Sequence, residues 1–193
     1  MSTRRGPRIV LLGKQGSGKG TQGERLAGRF GMQHLSTGQL FRDSADAGVS
    51  AGLEAKAFMD RGELVPDDLV VAVVEERFQN PREVEPGFVL DGFPRTRQQA
   101  LELDRILGVR PLDVVIDLDV PTEVAVERMR ARGREDDTEE SIRRRLSLYD
   151  SETKPLVDFY RERSLLATID GLGTEDEVEA AMVAAVTSRF DPS

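Results

Sequence analysis

The feature that most restricts the fold of this chain is a glycine-rich loop between an apolar run and a helix-like segment. Residues 8–12 read RIVLL and residues 13–22 read GKQGSGKGTQ. Gly13, Gly18 and Lys19 fit the pattern G-x-x-x-x-G-K, in the order strand, loop, helix that this pattern requires. Successive backbone N–H groups in such a loop point at one anion, and the helix N-terminus adds positive charge. The alternative is an ordinary glycine-rich turn, which the flanking strand and helix argue against.

The rest of the chain alternates short apolar runs with amphipathic segments. Strands are predicted at 8–12, 33–36, 87–91, 113–120 and 165–170, and helices at 18–30, 38–47, 51–61, 66–79, 96–107, 122–131, 138–160 with a break at Pro155, and 174–190. This alternation predicts an α/β fold with a five-stranded, mainly parallel sheet and helices on both faces. Three consecutive helices over 38–79 indicate an inserted helical unit. The charged stretch 130–140 predicts a surface loop.

Composition limits the partners and the compartment. The 193 residues include no cysteine, which excludes disulfides, a thiol nucleophile and thiolate metal sites. The net charge of −8 argues against general nucleic-acid binding, which usually needs a basic face. No apolar run is long enough to span a bilayer, and the first eight residues, MSTRRGPR, are not followed by the apolar segment of a signal peptide. We therefore expect a cytoplasmic chain with no membrane association.

The sequence also distinguishes between the classes of protein that share this loop. A GTPase reads guanine with an Asn-Lys-x-Asp segment, but the one asparagine here, Asn80, precedes Pro81. A kinase that phosphorylates a hydroxyl needs a carboxylate to take its proton. A nucleoside monophosphate kinase needs none, because its acceptor is a phosphate with a second pKa of about 6. Its difficulty is repulsion between two polyanions, and arginines in several separate places of this chain suit that class.

Six motifs then follow one another in a family-specific order. They are GSGKGTQ (16–22), STGQLFR (36–42), LVPDDLV (64–70), DGFPRTRQQ (91–99), RARGREDD (130–137) and ESIRRRLSLY (140–149). Together they resemble the adenylate kinase family, in its short form without a long lid insert, over about residues 8–190. The resemblance implies a three-layer P-loop kinase fold in one domain, 1–193. Its parts would be a core (8–36, 66–127, 138–190), an AMP-binding helical insert (37–65) and a short lid (128–137).

For ATP, the phosphate donor, the resemblance implies binding residues from three parts of the chain. They are Gly16, Ser17, Gly18, Lys19, Gly20, Thr21, Arg128, Arg132 and Gly173. Arg128 would lie against the adenine, where a planar guanidinium can stack. The implied cofactor is Mg²⁺, held through water by Thr21 and Asp91; the alternative for Asp91 is a turn residue at a strand end. Zinc is not expected, because the chain has neither the lid insert nor the cysteines that would bind it.

For AMP, the acceptor, the implied residues are Thr37, Arg42, Glu63, Leu64, Val65, Gly92, Phe93, Pro94, Arg95, Gln99, Arg134 and Arg145. Thr37 and Gln99 would contact the adenine, while Arg42 would contact the phosphate. Judged without the family, Thr37 would be a helix N-cap and Arg42 a solvated residue. The catalytic cations would be Lys19, Arg95, Arg132, Arg134 and Arg145.

Several further residues receive simpler interpretations. Asp136 and Asp137 resemble the acids that orient arginines behind the lid, or else they are helix N-terminal acids. Arg130, Arg143 and Arg144 are predicted to be solvated, His34 to be structural or exposed, and Phe58, Phe78, Phe88 and Phe159 to lie in the core. The main departure from the family is Gln15, where proline is usual, after Lys14, where a small residue or proline is usual. The change removes a rigid φ but no phosphate-binding N–H.

The resemblance implies a reaction between MgATP and AMP that gives two ADP by direct in-line transfer. The expected partners are ATP, AMP and ADP, with no nucleic acid, and the expected state is a monomer. Two alternatives remain open. One is a UMP/CMP kinase, which residue 37 and the base pocket would distinguish. The other is a non-catalytic nucleotide sensor on the same fold, which Gln15 favours and the retained arginines oppose.

Overall fold

The central sheet consists of the five predicted strands. The computed structural model of the chain describes residues 6–190. Its strands are β1 (Arg8–Leu12), β2 (Gln33–Ser36), β3 (Phe88–Asp91), β4 (Val114–Asp119) and β5 (Leu166–Asp170). All neighbouring pairs are parallel, in the order β2-β3-β1-β4-β5. The predicted α/β class and parallel sheet are confirmed. Residues 1–5 and 191–193 of the predicted domain, including most of the N-terminal segment discussed above, lie outside the described residues.

The helices also follow the predicted segments closely. They are α1 (Lys19–Phe30), α2 (Thr37–Asp46), α3 (Ser50–Asp60), α4 (Asp67–Phe78), α5 (Pro81–Val84), α6 (Arg97–Leu107), α7 (Thr122–Arg132), α8 (Glu139–Leu148), α9 (Pro155–Glu162) and α10 (Glu175–Thr187). α10 begins with the predicted capping box, since Thr174 Oγ1 accepts from the Glu177 N–H at 3.3 Å and Glu177 Oε2 accepts from the Thr174 N–H at 2.8 Å.

Two helical predictions need correction. The break predicted at Pro155 is present, since α9 starts there, but a π-helical segment, Tyr149–Thr153, precedes it where α helix was predicted. Proline lacks an N–H and clashes with the preceding turn, so the chain widens before it and resumes as α helix after it. The short helix α5 was not predicted. The Asn80 side chain caps it by accepting from the Arg82 N–H at 3.2 Å, with Pro81 in its first turn.

Both faces of the sheet are covered by apolar side chains. One cluster joins the sheet to α2, α4, α6 and α9, and the other joins it to α1 and α10. Phe88 and Phe159 are buried as predicted, and Phe78 packs edge-on against Phe88 with ring centroids 4.9 Å apart. The prediction for Phe58 was wrong. Its ring is half-buried beneath the Arg61 guanidinium, 5.0 Å from the ring centroid, and belongs to neither core cluster of residues 6–190.

The carboxyl ends of the parallel strands lie along one edge of the sheet. The glycine-rich loop leaves β1 at this edge, and β1 is the middle strand, so the loop lies between the ends of β3 and β4. Ligands of open α/β sheets bind at this edge. No helix within residues 6–190 is both long and apolar enough to cross a membrane.

Candidate active site

The glycine-rich loop has a backbone that only glycine can form at several points. Gly13, Gly16 and Gly18 have φ values of 133°, 83° and 103°. A Cβ on Gly13 would lie 2.5 Å from the Leu118 carbonyl oxygen, and one on Gly16 would lie 2.3 Å from that of Ala125. Helix α1 begins after Gly18 with no side-chain cap, so its first N–H groups remain free to bind an anion.

The Lys19 ammonium lies over this loop. Its Nζ donates to the carbonyl oxygens of Gly13 at 2.6 Å and Lys14 at 2.7 Å. Burial lowers the pKa of Lys19 to about 8, although the nearby carboxylates of Asp91 and Asp117 favour the charged form. A phosphate beside the ammonium would replace the hydration that burial removes. The geometry therefore suits a charge-assisted contact to a phosphate oxygen.

A large cleft of about 960 Å³ opens in front of the loop. Every residue predicted to bind ATP lines it: Gly16, Ser17, Gly18, Lys19, Gly20, Thr21, Arg128, Arg132 and Gly173. Among the residues predicted for AMP, Arg42, Glu63, Gly92, Arg95, Arg134 and Arg145 line the same cleft. The fold thus brings the phosphate loop and six arginines, from distant parts of the sequence, to one cleft.

The remaining residues predicted for AMP lie beside this cleft, with one exception. A cavity of about 30 Å³ is lined by Thr37, Leu64, Val65 and Gln99, together with Glu63, Gly92 and Arg95 from the cleft wall. Pro94 lines another cavity of about 50 Å³ behind the loop. Phe93 is the exception, because its side chain is fully buried in the core and lines neither the cleft nor these cavities. Only the backbone of Phe93 can face a nucleotide.

Carboxylates hold two of the arginines in position. Arg145 donates to Asp137 Oδ1 at 2.7 Å, to Asp136, and to the Met59 carbonyl at 3.1 Å, and Arg132 makes two bonds to Asp137. Burial alone would raise the pKa of Asp137, but the bonds and charges of Arg132 and Arg145 outweigh it and keep that pKa below its usual value. The two acids therefore orient arginines, as the resemblance implied, while Thr138 caps α8.

Backbone carbonyls position two more of the six arginines that line the cleft. Arg128 bridges the loop and the turn after β5, donating to the Ser17 carbonyl at 3.1 Å and the Gly171 carbonyl at 3.0 Å. Arg95 donates from Nε to the Gly92 carbonyl at 2.9 Å. Burial lowers the pKa of Arg95, and the positive charges of Arg145 and Arg42 add to this, against Asp91. A site with this concentration of buried positive charge favours a polyanion.

Gln99 is engaged on both sides of its amide. Its Oε1 accepts from the Arg95 N–H at 2.7 Å, and its Nε2 donates to Asp67 Oδ1 at 2.6 Å. Gln99 therefore positions Arg95 in addition to lining the small cavity. A contact from Gln99 to a base would use the second lone pair of Oε1 or the second hydrogen of Nε2.

Four further expectations can be compared with the geometry. Thr37 is not an N-cap: Ser36 holds that position, and Thr37 is the buried first residue of α2, with its hydroxyl 3.4 Å from the Asp91 carbonyl oxygen. Arg144 is exposed but not merely solvated, since it pairs with Glu63 at 2.9 Å. Arg130 is exposed and pairs with Glu139, and Arg143 is exposed.

His34 and Arg42 fit the simpler interpretations only in part. Both side chains are half-buried and line the cleft. The ring nitrogen Nε2 of His34 is buried with no hydrogen-bond partner among residues 6–190, so His34 is not simply an exposed residue. Arg42 donates to the Gln39 side-chain oxygen and lines the cleft. It is therefore not a fully solvated helix residue.

Two oxygen-bearing side chains of the cleft have the chemistry that a hydrated magnesium ion would need. Thr21 and Asp91 line the cleft, and Asp91 ends β3 with 9% of its surface exposed. Within residues 6–190, no group of three or more His, Cys, Asp or Glu side chains is arranged to hold a metal ion. Mg²⁺ does not need such a cage, because it keeps several waters and takes phosphate oxygens with one or two protein ligands.

Sequence reasoning missed part of the cleft wall. Gly171, Ser36 and Gly38 also line the cleft, and Tyr149 and Thr153 line the cavity behind the loop. Gly171 follows β5 directly, so its place at the carboxyl edge of the sheet was available as a signal. The positions of Tyr149 and Thr153 depend on the π-helical segment, which no sequence pattern indicated.

Comparison with known proteins points to one family. The sequence profile described as adenylate kinase matches residues 11–165. An adenylate kinase of Stenotrophomonas maltophilia (strain K279a) is 47% identical over 185 residues, which cover 93% of this chain and 98% of that protein. One from Xanthomonas euvesicatoria pv. vesicatoria is 49% identical over 177 residues (89% and 94%), and one from Xylella fastidiosa is 43% identical over 185 residues (93% and 98%). With this profile match and these relatives along almost its whole length, the chain belongs to the adenylate kinase family.

Proposed function

We propose that the chain transfers the terminal phosphate of ATP to AMP and so forms two ADP, in a reversible reaction. One observation carries the proposal. Lys19 and six arginines, contributed by elements from α1 to α8, converge on a single cleft at the carboxyl edge of the sheet. A transfer between two polyanions needs this arrangement of charge, because the main barrier is their mutual repulsion.

The two nucleotides would approach the cleft from opposite sides. ATP would lie along the glycine-rich loop, with its base between Arg128 and the turn that contains Gly173. AMP would enter beside α2, with its base in the small cavity at Thr37 and its phosphate toward Arg42 and Arg95. The cleft and the small cavity are adjacent, since Glu63, Gly92 and Arg95 line both. The arrangement supports a direct transfer with no covalent enzyme intermediate.

The catalytic contribution would be positioning and electrostatic stabilisation. Lys19 and the loop N–H groups would hold the outer phosphates of ATP, and Arg95 would hold the AMP phosphate. Arg132, Arg134 and Arg145 would stabilise the charge of the group in transfer. Since the acceptor is already ionised, no side chain is needed to remove a proton from it.

Two segments of the chain would move in the reaction. We assign AMP binding to residues 37–65 and a short lid to residues 128–137. Each segment connects two parts of the core. Closure of a lid excludes water from the site, and lid closure in adenylate kinase is a standard example of this principle. Mg²⁺ would be held through water by Thr21 and Asp91 and would supply charge neutralisation on the ATP phosphates. A cytoplasmic monomer with no nucleic-acid partner suits the acidic, cysteine-free sequence.

One assay distinguishes this proposal from the two alternatives. ADP formation is measured from MgATP with AMP, CMP, UMP or GMP over a range of concentrations, and Lys19→Met prepared in parallel controls for host kinases. We expect the highest kcat/KM with AMP. A higher kcat/KM with UMP or CMP would favour the UMP/CMP kinase. Binding of ATP without ADP formation from any monophosphate would favour the sensor.

A further inference from the structure

The side chain of Lys14 makes contacts that the proposed reaction does not use. Lys14 is the second residue of the glycine-rich loop, and it departs from the small residue or proline that is usual in the family. A lysine side chain near a cleft usually extends its ammonium into water. The Lys14 side chain does not, since only 16% of its surface is exposed. Contacts within the protein must therefore hold it in this buried position.

The Lys14 ammonium is held by three contacts near the carboxyl end of β4. Lys14 Nζ donates to the Val120 carbonyl at 3.0 Å and lies 3.7 Å from Asp119 Oδ1. The ring of Tyr149 lies beneath it, with 5.6 Å between Nζ and the ring centroid. Three different partners, on β4, the following turn and the π-helical segment, therefore hold one cation.

Buried negative charge adds to the attraction. Asp117 lies on β4 opposite Leu12 of β1 and is 7% exposed. Burial and the neighbouring Asp119 raise the pKa of Asp117, while the charges of Lys19 and Lys14 lower it. Lys14 and Lys19 thus both favour the ionised form of Asp117, and Lys14 also pairs with Asp119.

The backbone of Lys14 connects this contact to the catalytic lysine. The Lys14 carbonyl oxygen accepts from Lys19 Nζ at 2.7 Å and from the Ser17 N–H at 3.1 Å. The preceding Gly13 lies so close to β4 that no Cβ would fit there. A shift of residue 14 would therefore move an oxygen that holds both Lys19 and the loop.

We propose that Lys14 is a positioning residue for ATP: its ammonium joins the glycine-rich loop to the end of β4, and its carbonyl oxygen holds Lys19 and the Ser17 N–H in the arrangement that binds the phosphates. Lys14 touches no substrate in this role. Its side-chain contacts restrict the motion of the loop, as a proline in the loop would do by fixing the backbone angle φ. The inference rests on the proposed function, since it concerns how that site binds ATP.

The test compares Lys14→Met with wild type and with Arg105→Met as the matched control. Arg105 pairs with Glu102 on the surface of α6, outside the cleft, so its replacement also removes a positive charge and an ion pair. We expect Lys14→Met to raise the KM for ATP and the Kd of a non-hydrolysable ATP analogue by about three- to tenfold, from loss of a charge-assisted hydrogen bond. The KM for AMP should stay within about twofold of wild type, and Arg105→Met should match wild type in all three quantities.

Chemical rescue separates this role from a general effect on folding. Lys14→Ala leaves space where the side chain lay, and propylammonium or butylammonium can place an ammonium there. We expect either amine, but not NaCl at the same ionic strength, to recover ATP affinity in Lys14→Ala. An unchanged ATP affinity in Lys14→Met, equal losses for ATP and AMP, or no recovery by amines would each overturn the inference. If wild type itself forms no ADP, the proposed function fails instead, and analogue binding still tests Lys14.

Discussion

The carboxylate of Asp137 accepts a hydrogen bond from Arg145 Nη1 at 2.7 Å, and both side chains are almost completely buried. The same oxygen accepts from Arg132 Nη2 at 2.8 Å. One carboxylate therefore orients two of the guanidinium groups that we propose to stabilise the transferred phosphate. Because the two bonds fix the direction of both guanidinium groups, Asp137 limits the orientations that Arg132 and Arg145 can adopt.

Asp137→Asn tests how much this arrangement stabilises the fold. The arginine bonds hold the pKa of Asp137 below the ordinary 3.8. A carboxyl with a lowered folded pKa stabilises the protein above its unfolded pKa, and this contribution disappears as the pH falls through the folded pKa. We expect Asp137→Asn to reduce the free energy of unfolding by about 1–3 kcal/mol at pH 7, because an amide cannot satisfy both arginines.

Denaturant unfolding at a series of pH values measures this effect. The difference between Asp137→Asn and wild type should shrink as the pH falls below 3.8, where the carboxyl of the unfolded chain begins to protonate, and toward the lower pKa of the folded protein. Asp158→Asn is the control, because Asp158 is 74% exposed and pairs with Arg161 on the surface. Equal stability of Asp137→Asn and wild type at pH 7 would show that the buried pair makes no net contribution.

Lys19→Met should abolish phosphoryl transfer and leave the fold intact, because it removes a charge from the phosphates without disturbing the core. If the variant keeps more than about a tenth of wild-type turnover, the activation barrier has risen by less than ~1.4 kcal/mol, and the role assigned to Lys19 is wrong. The pH dependence gives a second measurement. Because the pKa of Lys19 is lowered to about 8, the ammonium loses its proton above that pH and ATP affinity should fall. Lys19→Met should lack this dependence.

Arg95→Ala and Arg134→Ala should each slow turnover strongly, and more than Arg143→Ala. Arg95 and Arg134 line the cleft, whereas Arg143 is exposed on α8 and does not line the cleft. On the proposed assignment, each of the first two variants loses a phosphate partner, whereas the third loses a solvated charge. Measurement of kcat and both KM values for the three variants checks the distinction. Comparable losses in all three would mean that the assignment of the arginines is wrong.

Thr37→Ala should weaken discrimination for AMP against CMP and UMP. The Thr37 hydroxyl is buried beside the small cavity and donates to the Asp91 carbonyl at 3.4 Å, so the lone pairs of its oxygen can still accept from a base. A site that hydrogen-bonds the correct base gains selectivity from that bond. The ratio of kcat/KM for AMP to that for UMP is the measured quantity, with Thr37→Ser as the control. If wild type uses UMP as well as AMP, the prediction fails.

The sequence was sufficient for the sheet because each strand is specified locally. Central strands of a parallel sheet are buried on both faces, so the runs 8–12 and 113–120 are rich in Val, Ile and Leu and easy to recognise. The glycine-rich loop was equally clear, since its glycines occur where φ is positive or backbones approach closely. The π-helical segment was not predictable, because it depends on how the chain accommodates Pro155 between two packed helices.

The roles of individual arginines could be predicted only in part from the sequence. Arg143 and Arg145 lie in one run of three arginines, and the family resemblance, rather than composition, separated them. Helix phase gives a physical reason, since Arg145 lies three residues after the buried Ile142 and so shares its face. The burial of Phe93 and the double use of Gln99 depend on contacts between distant segments, which no local pattern reports.

Gln15→Pro should tighten ATP binding modestly, by at most about 1 kcal/mol, with little change in kcat. Proline would fix φ near −65° and lower the conformational entropy of the free loop. Two features of the loop suit this substitution. The φ of Gln15 is not positive, and its N–H makes no backbone hydrogen bond among residues 6–190. The side chain faces the cleft and makes no hydrogen bond within the same residues, so its loss breaks no contact of the fold.

The Kd of a non-hydrolysable ATP analogue can be measured by titration into wild type, Gln15→Pro, Lys14→Met and the double variant. The four values show whether the two residues affect the same motion of the loop. If the Lys14 side chain and proline restrict the same loop motion, Gln15→Pro should reduce the loss caused by Lys14→Met, and the two effects should not be additive. Weaker binding by Gln15→Pro alone would mean that the glutamine side chain contacts the nucleotide. In that case Gln15→Glu should weaken binding further than Gln15→Pro does, because glutamate has the size of glutamine but places a negative charge beside the phosphates.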